Sequence, residues 1–79
     1  MKKDKWYYDV LADEVINLRD CYSIWKYKSG EDYQIKFCYG DSTIHHTYKN
    51  EVERNNSFKH YIILVEAKEL NGTQEPLTI

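Results

Sequence analysis

Between Tyr33 and Tyr48 the chain alternates apolar and polar residues with period two, and it does so twice. Tyr33, Ile35, Phe37 and Tyr39 interleave with Gln34, Lys36 and Cys38, as in a strand with one buried face. Gly40-Asp41 then supplies a two-residue loop with glycine in the first central position, as a type II′ hairpin requires. Such a loop fixes the register. Tyr39 opposes Ser42, Phe37 opposes Ile44, Ile35 opposes His46, and Tyr33 opposes Tyr48. On the reverse face Cys38 meets Thr43, Lys36 meets His45, and Gln34 meets Thr47. A slip of one residue would turn every apolar side chain outward. Two strands that agree on one apolar face therefore constrain the fold strongly.

The flanking segments complete an antiparallel meander. Lys5–Leu11 is aromatic-rich and suits a first strand. Ala12-Asp13-Glu14 reads as a turn, Val15–Leu18 as a short second strand, and Tyr22–Lys28 as a third. The turn before Tyr33 admits two registers. A Gly30-Glu31 loop sets Lys28 against Tyr33 and turns Lys26 and Lys28 towards the core side. A three-residue loop, Lys28-Ser29-Gly30, sets Trp25 against Tyr33 and turns both lysines out. Buried lysines are costly unless they snorkel, which favours the second register.

Glu51–Leu70 reads as a helix. Asn50 is its N-cap, with Glu53 placed for a capping box, and Asn71-Gly72 stops it. Phe58, Tyr61, Ile62 and Val65 recur at helical spacing, although Tyr61–Val65 also suits a strand by propensity. This helix would cover the Tyr33/Ile35/Phe37/Tyr39 face. The expected fold is α+β: about five antiparallel strands packed by one C-terminal helix. Residues 1–70 form one domain, and 71–79 are expected to be a flexible tail.

A chain of 79 residues buries only about 60–65 % of its unfolded surface, so its core is marginal and a homodimer would help it. Eight tyrosines and two tryptophans compensate with large packing area. Two cysteines, Cys21 and Cys38, are too few for a disulfide scaffold. The longest apolar run, Tyr61–Val65, is far short of a membrane span. With no signal-like N-terminus, a cytoplasmic protein with reduced thiols is expected. The net charge of −2 argues against a general duplex-DNA binder.

The run DEVINLRD, the alternating hairpin with YGDS, and the FK…VEAKELNG segment together resemble small β-meander-plus-helix proteins of Gram-positive bacteria and their phages. The resemblance spans most of the chain and rests on pattern. It implies a fold and carries no assigned function; by analogy it points towards a modulator or inhibitor of a host or defence protein.

Catalytic and metal chemistry find little support. His45 and His46 are adjacent on a strand and point to opposite faces. Cys38 and His45 make at most two ligands where zinc needs three or four. His46, opposite Ile35, should be an interior or rim histidine whose ring nitrogens need partners. Cys21 and Cys38 read as small packing residues. The acidic pairs Asp13-Glu14, Glu31-Asp32 and Glu51/Glu53 fall in turns and in a helix's first turn, where acids are favoured electrostatically. No cofactor is expected.

What remains is the outer sheet face. In the favoured register it carries Lys26, Lys28, Lys36 and His45 with Tyr22. In the other, Trp25, Lys36 and His45 form one row across three strands. Cations beside aromatics suit docking onto another protein, or stacking of single-stranded nucleic-acid bases. A solvated polar face with lysines guarding against edge aggregation explains the same residues without any partner. A protein-binding module is the leading expectation, and single-stranded nucleic-acid binding the alternative.

Overall fold

A computed structural model of the protein describes residues 3–65 and 77–78. The strands are β1 (Trp6–Asp9), β2 (Glu14–Asn17), β3 (Ser23–Ser29), β4 (Asp32–Cys38), β5 (Thr43–Tyr48) and the two-residue β6 (Leu77–Thr78); the helix α1 is Glu51–Leu64. The fold is α+β, as expected. The strands do not make one meander, however. β1 and β2 pair as a separate two-stranded hairpin, and β5-β4-β3-β6 form the main antiparallel sheet. The tail expected from Asn71 lies outside the described residues except for Leu77–Thr78, which pair with β3.

The β4–β5 register is the one that the alternation dictates, from Tyr33 opposite Tyr48 to Cys38 opposite Thr43. Tyr39 donates its amide to Ser42 at 2.8 Å to close the loop. Gly40 does not take the positive φ expected of a II′ turn; among the described glycines that conformation belongs to Gly30, at +61°.

The β3–β4 register corrects the favoured expectation. Lys28 opposes Tyr33 and Ser29 opposes Asp32, so Gly30-Glu31 is the loop and β4 begins on an acid. Lys26 and Lys28 therefore stand on the helix side, and Trp25 and Tyr27 on the outer face. The argument from buried lysine fails because neither lysine is buried. Their ammonium groups reach over aromatic rings instead, Lys26 5.1 Å from the Phe58 centroid and Lys28 4.9 Å from that of Tyr33. This is snorkelling along an apolar rim.

α1 packs on β3, β4 and β5. Phe58 and Tyr61 enter a core of Ile16, Leu18, Cys21, Ile24, Ile35, Phe37 and Tyr48, with Ile62 and Val65 against its edge. Tyr61 is thus helical, but α1 ends earlier than the expected Leu70: Leu64 is its last residue and Val65 its C-cap, and residues 66–70 lie outside the described residues. The buried stripe Arg54, Ser57, Phe58, Tyr61 is half polar, and its polar members have partners. Arg54 donates to the carbonyls of Tyr27 at 3.0 Å and Gln34 at 3.4 Å. Asn50 caps the helix by accepting the Glu53 amide at 2.9 Å. The capping box is half-formed, since Glu53 Oε2 is buried without a hydrogen-bond partner.

Candidate functional site

Three features stand out: a buried carboxylate, an aromatic–cationic row on the main sheet, and an apolar face on the β1–β2 hairpin.

The carboxylate is Asp9, 6 % exposed at the end of β1. Its Oδ1 accepts from the Ala12 amide at 3.2 Å and from Ser57 Oγ at 3.1 Å. Its Oδ2 accepts from the Tyr48 hydroxyl, the Tyr61 hydroxyl at 2.7 Å and His46 Nδ1 at 3.1 Å. Since the acceptor is a carboxylate, Nδ1 carries the proton. The other ring nitrogen, Nε2, lies 3.5 Å from Glu14. Burial alone would raise the Asp9 pKa, but the hydrogen bonds from His46, Tyr48, Tyr61 and the Ala12 amide outweigh it and hold the group well below the usual carboxylate range. Burial, followed by the bond to Asp9, pushes the Tyr48 and Tyr61 hydroxyls far above theirs. These groups keep their protons near neutral pH. Ser57 turns its hydroxyl to Asp9 and not to His46. The cluster ties β1, β5 and α1 together.

A cavity of about 330 Å³ opens above Asp9 between β1 and the second half of α1. Its walls are largely apolar, with Val10, Leu11, Ile63 and Leu64 among them, and both Asp9 oxygens already face donors. Burial pushes the Cys21 thiol up to about 11, so it stays protonated near neutral pH. Among the described residues no three His, Cys, Asp or Glu side chains converge as metal ligands. No described helix is long and apolar enough to cross a membrane.

Of the residues expected to bind, Trp25, Lys36 and His45 come together. Trp25 opposes Lys36 and Lys36 opposes His45, which makes one row across three strands. Lys36 Nζ sits 5.1 Å from the Trp25 ring centroid and 5.3 Å from that of Tyr27. Tyr27 in turn packs on His45 at 5.3 Å. The Trp25 indole donates to Ser23 Oγ at 3.3 Å, which anchors its ring. Lys26 and Lys28 lie on the opposite face. Tyr22, one residue before β3, is exposed, but its position alternates with Ser23 and so it falls outside the row.

Sequence reasoning did not single out the third feature. In β1–β2, Tyr8 opposes Val15 and Trp6 opposes Asn17, so Trp6, Tyr8 and Val15 share a face. They are 62 %, 59 % and 60 % exposed. Ile44 was expected in the core from its place opposite Phe37. It lies 43 % exposed and lines one shallow cleft with Trp6 and Val15. The signal was present as WYYDV, but three consecutive aromatics hide which of them point outward. No protein-family model, curated protein or solved structure matches this chain.

Proposed function

We propose that this is a small non-catalytic protein-binding module that docks through the outer face of the β3–β4–β5 sheet. Trp25, Tyr27, Lys36 and His45 make the contact. The observation that carries the reading is the Lys36 ammonium held over two aromatic rings at once. A cation ordered on an aromatic platform loses little side-chain freedom on binding, and aromatic and cationic anchors dominate interface energetics. Its natural counterpart is a carboxylate on the partner. A module of this kind acts as a modulator or inhibitor, by occupying its partner's surface.

Single-stranded nucleic acid is the weaker reading. With Lys26 and Lys28 on the helix side, Lys36 is the one lysine left in the row, whereas a strand-binding groove must follow several phosphates. Affinity capture from the native host with wild type and Lys36→Glu tests the proposal. A stoichiometric protein partner should be retained by wild type and lost by the variant. Capture that Lys36→Glu leaves unchanged would sink it, and so would oligonucleotide binding at low salt that the variant abolishes.

A further inference from the structure

The geometry points to a second copy of this chain as the occupant of the β1–β2 face, so that two hairpins pack face to face about a two-fold axis. This surface is separate from the row around Lys36 and does not depend on what that row binds.

Three observations converge on a self-complementary contact. The first is the hairpin itself. An isolated two-stranded sheet is marginal in water; this one buries its inner face on the core and leaves Trp6, Tyr8 and Val15 largely exposed on the other. The second is area. Trp6, Tyr8, Val15 and Ile44 together expose on the order of 450 Å² per copy. A pair would bury about 900 Å² before any rim contacts, at the threshold of specific association and in the range of a weak dimer.

The third is charge. The open end of the hairpin carries Lys3, Lys5 and Arg19 against Asp4 and Asp20, a net positive charge. Arg19 contacts both of those acids. The turn end carries Asp13, while Glu14 turns to the inner face, towards His46. A two-fold axis lying in the contact plane and perpendicular to the strands lays the open end of one copy over the turn end of the other. Opposite charges then meet at both rims, while Trp6 of each copy covers the Tyr8–Val15 pair of its partner. Two-fold contacts are self-complementary in this way.

Sedimentation equilibrium of the full chain over a wide concentration range reads this directly. The mass should rise from 9.5 kDa towards twice that value at tens of micromolar. Trp6→Lys should weaken association at least tenfold, with an unchanged circular dichroism spectrum because Trp6 contributes little to the core. Lys5→Glu should weaken it severalfold, and raised salt should weaken the wild-type dimer. Lys36→Glu, on the other face, should associate like wild type. A monomer at every concentration overturns the inference, as does a dimer indifferent to Trp6→Lys or one broken by Lys36→Glu.

Discussion

Asp9 shows how a single charge can be held inside so small a core. A buried carboxylate is tolerated only when its lone pairs are filled, and here five donors fill them. Asparagine in its place removes the charge and points an amide NH₂ at groups that already donate. Breaking a buried, fully partnered charge cluster costs about 3–5 kcal/mol. Asp9→Asn should therefore lose about 3 kcal/mol of unfolding free energy in urea titrations, a large share of a small domain's total. A loss below about 1 kcal/mol would mean that the donors re-pair without the carboxylate. Half of this cluster was legible in the sequence. His46 opposite Ile35 reads as an interior or rim histidine in need of partners, and it is interior. Asp9 was not legible, because an acid at a strand end before a turn has an ordinary local explanation.

Among the elements, the two β-turns of the main sheet separate what sequence pattern can and cannot decide. Around Gly40 both flanking strands alternate, so the pattern alone sets the register. Around Gly30 the third strand mixes Trp25 and Tyr27 with Lys26 and Lys28, and either parity offers a usable face. In the structure Lys26 and Lys28 reach over the Phe58 and Tyr33 rings on the helix side, contacts that no local pattern records. The two glycines should differ under substitution. A Cβ at either meets nothing within 4 Å, so only the backbone counts. Gly30→Ala forces alanine into φ +61° and should cost about 1 kcal/mol. Gly40→Ala carries no such penalty and should change stability by less than about 0.5 kcal/mol. Asn50→Ala, which removes the side-chain acceptor for the Glu53 amide, should cost about 1 kcal/mol. Chemical denaturation of the three variants side by side checks the ranking, and equal costs for the two glycines would contradict the turn assignment.

At the scale of the whole molecule, the separate hairpin, the main sheet and the helix meet at one charge, so pH should act on all of them together. Asp9 titrates lower in the folded chain than its ordinary value of 3.8. The unfolded chain therefore takes up its proton first as the solution is acidified. The stability that Asp9 contributes is complete above that value and is lost progressively as pH falls below about 4. Tyr48 and Tyr61 act at the other end. Their hydroxyls titrate above their ordinary value of 10.0 when folded, so the unfolded chain ionises first and stability falls as pH rises beyond about 10. Urea midpoints measured from pH 3 to 11 should give a plateau with a shoulder at each end. In Asp9→Asn the acid shoulder should flatten while the plateau drops. Because the same carboxylate holds β1 to β5 and to α1, the acid transition should be single. Fluorescence from Trp6 on the hairpin and Trp25 on the main sheet, read in the Trp25→Phe and Trp6→Phe variants respectively, should trace coincident curves. Trp6 fluorescence changing at a higher pH than Trp25 fluorescence would mean that the hairpin detaches first and that Asp9 does not couple the two sheets.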